Sequence, residues 1–469
     1  MGYPYFNYLH SKSWILNLKI MKNRKIYKTK MLKVFTLLLA FTVFSCNDIL
    51  DAENPNSLVE SDLSNPAAAR PMANGSQATV TRAIANLLTP YSISSDEMVW
   101  SGSRDDWQQL NFGQLSDFEN EFTDAAFAYT GEARWWADEV ITRIEAFQTD
   151  GLLNAGDELA LARAYLYGAT IYITIADMYT DFVFSDKLES GPAIGPANMN
   201  GLYDTAISYL TKAVALNQSG LTGQLQGMLA RAHWSKEAWS KARARNAATA
   251  LINNAAAVAA ANAALTAGNV AYVLDVDSST PDVINGLPIG SEVNDRKEQR
   301  LSDDYIIVDP VTNNSVNKIS SGDPTESISL LDPIDGIPDP VLYKTVVDFV
   351  TAQLYPDFTQ TSEREMYLIL AEAALAANDV PGFTTNINLL RAMNTELSPW
   401  VDEITSGVSA QDLLIHERRV NLYLQGRRLI DHYRFDDPSP YWIPSSDAMN
   451  AVTFFPIGIS EVRANTLID

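Results

Sequence analysis

Among the nine tryptophans of this 469-residue chain, Trp100 and Trp107 stand apart because they lie in a polar stretch, "SSDEMVWSGSRDDWQQLNFG", beside Arg104, Asp105 and Asp106. An exposed indole offers a flat apolar plane, and charged neighbours offer hydrogen bonds. Together these match the C–H faces and hydroxyls of a sugar ring. Tyr272 and Tyr305, in a second polar and irregular region, are the next candidates for the same role. Trp135, Trp136, Trp234 and Trp239 sit in helical patterns and read as core.

Residues suited to bond-breaking chemistry are scarce. The single cysteine, Cys46, excludes an intramolecular disulfide and the usual thiolate metal sites. Beyond it there are three histidines, His233, His416 and His432, none at ligand spacing from another. The Asp-rich segments "DVDSSTPD" (275–282) and "DPIDGIPDP" (332–340) could offer calcium its oxygen ligands, but neither has the glycine and terminal glutamate of the twelve-residue calcium loop. No cofactor is expected, calcium being the one ion with any ligand set.

Cys46 closes a leader. Lys22, Arg24, Lys25, Lys28, Lys30 and Lys33 precede an apolar run from Val34 to Phe44, too short to span a bilayer as a helix. "VFSC" resembles a lipobox, at which a bacterial lipoprotein is cleaved and its cysteine acylated. Residues 1–45 are therefore expected to be leader and signal peptide, with translation starting as late as Met21 or Met31 and 1–20 then untranslated. Residues 46–66, polar and turn-rich, would be a lipid-anchored tether. The chain from Cys46 onward carries 26 Lys/Arg against 57 Asp/Glu, a net of −31. Such a body repels nucleic acid and anionic lipid, so membrane contact is expected through the anchor only.

The candidate residues need a scaffold, and helical periodicity supplies it. In "EARWWADEVITRIEAF" Trp136, Val140, Ile144 and Phe147 share a face, and in "LALARAYLYGATIYITIADMY" Gly168 and Ala169 allow a close helix crossing. Further helical patterns at "LYDTAISYLTKAVAL", "GMLARAHWSKEAWSKARARNAATALI", "SEREMYLILAEAALAAND" and "PGFTTNINLLRAMN" predict a mainly α fold of tetratricopeptide-like helical hairpins. The helix-pair region spans roughly 124–253 with 363–395. A Pro-, Gly-, Asp- and Ser-rich insertion at about 269–356 would pack on the scaffold as a loop-rich ligand-binding face, within one domain from 67 to 469.

Four segments resemble one family in its order: "ARAYLYGATIYITIADMYTDFVFSD", "MYLILAEAALAAND", "HERRVNLYLQGRRLIDHYRF" and "FFPIGISEVRANTLID". With the lipobox they resemble the SusD/RagB family of Bacteroidetes outer-membrane nutrient-binding lipoproteins. The resemblance implies a surface-exposed lipoprotein that binds a glycan, less often a peptide. It also implies delivery to a TonB-dependent SusC-like barrel transporter, which it covers as a hinged lid. Read physically, the third segment looks like a helix with Arg427 and Asp431 four apart, Gly426 at a close backbone approach, and Val420, Tyr423 and Ile430 facing inward. Its charges are expected to pair structurally rather than to catalyse.

Two other classes share these features. A helical glycoside hydrolase would need an acid and a base or nucleophile at a scissile bond. A ligand-free helical adaptor would use the helix pairs alone.

Overall fold

Periodic apolar spacing becomes long helices wherever a cap or turn residue starts them. In the computed structural model the described residues are 60–153, 155–186, 189–274, 293, 296–307, 327–352 and 357–468. Cys46 with its leader, the segment 275–282 and much of the 269–356 insertion lie outside them. Ser64–Asp469 forms one unit; of the other, Met1–Leu63, the described part is a single turn, Glu60–Leu63.

The helices run α1 (Ala69–Ser94), α2 (Asp105–Asn111), α3 (Glu121–Thr149), α4 (Ala155–Met178), α5 (Leu202–Ala215), α6 (Thr222–Ala244) and α7 (Ala255–Ala267). After the insertion come α8 (Pro340–Ala352), α9 (Glu363–Ala376), α10 (Val380–Arg391), α11 (Glu403–Ser406), α12 (Ala410–Asn421), α13 (Arg428–Phe435), α14 (Asp447–Asn450) and α15 (Ile459–Ala464). Side-chain caps fix several starts: Asn120 accepts from Phe122 and Thr123, Asn254 from Ala256 and Ala257, and Ser362 from Glu365. Successive helices pack in pairs, α1 on α3, α4 on α5, α6 on α7 and α9 on α10. The protein is mainly α, a scaffold of helical pairs with few short strands.

α4 is the central member. Gly156–Met178 is long and apolar enough to cross a membrane, but 89% of its most apolar 18-residue window is buried inside the fold. Gly168 permits its close crossing, since a Cβ there would fall 2.7 Å from Ile141 Cδ1 and 3.2 Å from Tyr209 Cδ2. The helix ends at Tyr179, which makes a parallel bridge with Phe455.

Two antiparallel ribbons sit on this scaffold. β1 (Met98–Trp100) pairs with β3 (Gln299–Leu301), and β2 (Tyr272–Leu274) with β4 (Phe358–Thr361). The insertion is therefore not all loop. It contributes β2 and β3, and its last part coils into α8, where Asp339 caps the amides of Val341 and Leu342 at 2.9 Å.

The Glu-Arg and Gly-x-Arg segment is also not one helix. α12 ends at Asn421, and the chain turns through Leu424 (φ +57°) and Gly426 (φ +70°) before α13. Gly426 is needed for its left-handed backbone and because a Cβ would fall 2.5 Å from Met178 Cε; it meets side chains, not another backbone. Val420, Tyr423 and Ile430 are buried as expected. The break redistributes the ion pairs. Asp431 binds Arg418 through two bonds, 2.8 and 3.2 Å, and Arg434 at 2.7 Å, while Arg427 faces Asp177 and Glu365 at 3.6 Å.

Candidate functional site

The polar stretch 94–113 forms a tight structure around β1. Trp100 stands opposite Gln299 in the ribbon, and its amide donates to Asn111 Oδ1 at 3.2 Å. The chain then wraps Glu298. The amides of Ser101 and Gly102 donate to its carbonyl, and those of Ser103 and Arg104 to its carboxylate at 2.8 and 3.1 Å. What burial there is would raise the Glu298 carboxyl, but these two amides hold it below its ordinary value.

Of the aromatic candidates, only Trp100 reaches the surface, and it is half-buried. Trp107 is fully buried because Asp105 and Asp106 begin α2, acids favoured at a helix N-terminus, and the short helix turns Trp107 inward with Leu110 and Asn111. Its ring stacks on Phe122, centroids 3.4 Å apart. Tyr272 is buried as the inward residue of β2, paired with Thr361. Tyr305 is buried between Tyr423, 4.7 Å away, and the Arg419 guanidinium, and its hydroxyl donates to Asp96 at 2.9 Å. These three anchor packing and are not ligand surfaces. Arg104 is half-exposed, over the Phe122 ring and 3.3 Å from Glu121; Asp105 is exposed. The ribbon edge thus keeps Trp100, Arg104 and Asp105 together near solvent. Beneath it, the Trp100 indole N–H and both side-chain amide atoms of Gln299 are buried without a hydrogen-bond partner.

Calcium's candidate loop at 332–340 has other work. Asp332 accepts two bonds from Arg391, 2.8 and 3.1 Å, and the amides of Ile334 and Asp335. Asp339 caps α8 and meets His416 Nε2 at 2.9 Å. One ligand atom from each of Asp332, Asp339 and His416 lies within 4.8 Å of the others, but the Asp332 carboxylate is already taken by the Arg391 guanidinium, which leaves it poorly placed to bind a metal ion.

A cleft of about 470 Å³ opens on α3, away from any residue singled out in the sequence for binding. Asp124, Phe127, Ala128, Gly131 and Trp135 recur on one helical face, joined by Glu132 and Arg134. The opposite wall is Val183, Ser185 and Asp186 after α4, with Ser460 and Glu461 of α15. The walls are tied together: Ser460 donates from its amide and hydroxyl to Asp124 at 2.9 and 2.6 Å, and Ser185 donates to Glu461 at 2.9 Å. Arg134 donates to the Ser185 carbonyl and pairs with Asp138 at 3.5 Å, leaving its Nε without a partner. Asp138 also accepts from the hydroxyls of Tyr172 and Tyr209, both at 2.9 Å. Burial raises the Asp138 carboxyl above its ordinary value despite these donors.

Trp135 and Trp136 divide the labour that sequence periodicity assigned to core alone. Both are half-buried, and Trp136 packs on α1, its Nε1 3.3 Å from where a Cβ on Gly75 would stand. Trp135 faces the cleft. Gly131 carried the available sequence signal, a glycine inside a 29-residue helix. A Cβ added there would meet nothing within 4 Å, so no packing contact requires glycine. Gly131→Ala is accordingly expected to raise the unfolding free energy by about 0.5–1 kcal/mol, read as a higher urea midpoint; an unchanged or lower midpoint would contradict the open floor.

Residues 364–467 match the SusD family. That span runs from the first turn of α9 through α15 and contains the pairs of Asp431 with Arg418 and Arg434; Asp177 and Asp332, which pair with Arg427 and Arg391, lie before it. A SusD superfamily protein from Bacteroides vulgatus superposes with TM-score 0.56 at 12% identity, covering 87% of this chain and 98% of its own. One from Bacteroides fragilis gives 0.56 at 13%, covering 86% and 99%. The chain has the fold of these SusD superfamily structures. A third SusD superfamily structure, from Bacteroides thetaiotaomicron, gives TM-score 0.53 at 15% identity over 87% of this chain and 98% of that one. No curated protein matches. The fold likeness covers most of the chain, whereas the family match by sequence is confined to residues 364–467.

Proposed function

We propose that this chain is a surface-exposed lipoprotein of the outer membrane, acylated at Cys46, that captures oligosaccharides and passes them to a TonB-dependent SusC-like barrel transporter. The observation that carries the reading is the SusD family match over residues 364–467, in a chain that shares the fold of SusD superfamily structures over most of its length. At the ribbon edge, Trp100 supplies a stacking plane and Arg104 and Asp105 supply hydrogen bonds to hydroxyls. Binding rather than cleavage is proposed, with no cofactor. The helical pairs offer surfaces broad enough for the barrel, which a stable complex needs at upwards of about 1,000 Å² in total.

Affinity purification from native membranes in mild detergent tests the partner. A barrel protein is expected at comparable amount, and the intact mass of the same material should carry acyl chains on Cys46. Recovery of the lipoprotein alone would count against the transporter. For the ribbon, Trp100→Ala is expected to weaken oligosaccharide binding about five- to tenfold, the loss of one aromatic contact of roughly 1 kcal/mol. Calorimetry that shows unchanged affinity would remove Trp100 from the site.

A further inference from the structure

We infer that the α3 cleft is a saccharide-binding site in its own right, selective for neutral sugars over uronates and sulfated sugars. Its volume, about 470 Å³, falls in the range of small-ligand pockets. Its floor is the low ridge of Ala128 and Gly131, and at one end stands the Trp135 indole. A helix-interior glycine that no neighbour requires is a standing cost to the fold. Its effect here is to keep the floor flat where a side chain would rise into the cleft. A sugar ring laid on Ala128 and Gly131 has Trp135 beside it as a stacking plane.

The polar groups select for charge. Asp124, Glu132, Asp186 and Glu461 line the cleft against one lining cation, Arg134, whose guanidinium is already shared with Asp138 and the Ser185 carbonyl; Glu132 is paired with Arg82, which is not among the lining residues. Carboxylates accept hydrogen bonds from hydroxyls and repel a second anion, and the net charge of −23 over the whole chain adds to that field. A lysine-rich peptide would suit the charge but makes less use of a flat, shallow floor.

The choice of probes rests on the glycan-binding reading above, and the test separates the two. Malto-, xylo- and cellohexaose, a galacturonic acid hexamer and a trilysine peptide are titrated by calorimetry into the wild-type chain, Gly131→Leu, Trp135→Ala and Trp100→Ala. Expected are binding of at least one neutral hexamer, at least tenfold weaker binding of the uronate, and a fivefold or greater loss in both Gly131→Leu and Trp135→Ala. Circular dichroism should show both cleft variants folded; Gly131→Leu, which adds bulk into open space, keeps the test valid should Trp135→Ala unfold. Wild-type binding that neither cleft variant weakens overturns this inference and leaves the glycan reading standing. Equal or tighter uronate binding, or binding of trilysine alone, overturns the selectivity assigned here. No binding of any hexamer overturns both readings.

Discussion

Arg434→Ala is expected to lower the unfolding free energy by about 3–5 kcal/mol, because it leaves a buried carboxylate without its cation. Arg434 donates to Glu372, to Asp431 at 2.7 Å and to the Ala250 carbonyl at 3.1 Å. Arg418 completes a balanced set, two guanidinium groups facing two carboxylates, with Trp234 donating to Glu372 at 2.9 Å and lying under both arginines. Burial alone would raise Asp431, but Arg418 and Arg434 hold it down at about 2. These side chains come from α6, α9, α12 and α13, so the set joins the region matched to the SusD family to the helical pairs before it. Arg434→Lys should recover only part of the loss, since an ammonium cannot reproduce the planar fork. A urea midpoint within about 0.5 kcal/mol of wild type for the alanine variant would show that the set contributes little.

Stability should also fall as pH rises from about 5 to 8, and Glu97→Gln should flatten much of that slope. Glu97 lies buried beside β1, accepting from the Leu424 amide at 2.8 Å, with its other oxygen unpartnered. Burial is the main cause that pushes its carboxyl up to about 8; the neighbouring Asp96 adds to it, and the Leu424 amide opposes it. The folded state therefore holds a proton that the unfolded chain releases near pH 4.5. Below that pH both states are protonated and nothing is lost. Between 4.5 and 8 each pH unit costs about 1.4 kcal/mol from this group, and above 8 the loss is complete. Asp138, Asp177 and Glu417, also raised by burial, add to the slope in the same direction. Asp431, held low, acts oppositely but only between about pH 2 and 4, where its stabilisation is lost on acidification. Urea midpoints of both proteins from pH 5 to 8 decide the matter: parallel curves would exclude Glu97 as the titrating group.

The scaffold was legible because a long amphipathic helix repeats its apolar spacing many times over. Gly168 announced a close crossing, and the crossing is there. Trp107 was misjudged for a local reason: in a polar stretch the same residues can be a loop or the first turn of a seven-residue helix, and Asp105 and Asp106 made it the latter. The cleft was hidden for a non-local one. Trp135 looked like core because α3 alone cannot show that one side of its apolar face is walled by residues 183–186 and 460–461. The third signature segment likewise named its charged residues correctly, but their partners changed once Gly426 turned the chain.

The cleft wall also bears on the order in which the molecule assembles. The last residues stitch themselves to the first helices: Asp447 takes the amides of Leu115 and Ser116, Ile459 donates to the Phe118 carbonyl, Ser460 clasps Asp124, and Phe455 bridges the end of α4. Each of these closures spans more than 270 residues of chain, so none can form on a nascent polypeptide until residues 447–460 have been made. Until then the edges of α3 and α4 lack their backbone partners, and a chain built on such distant closures folds slowly. The long wait leaves those edges open to solvent, and the closing of one loop of more than 270 residues, not the winding of any helix, sets the pace at which the structure is completed.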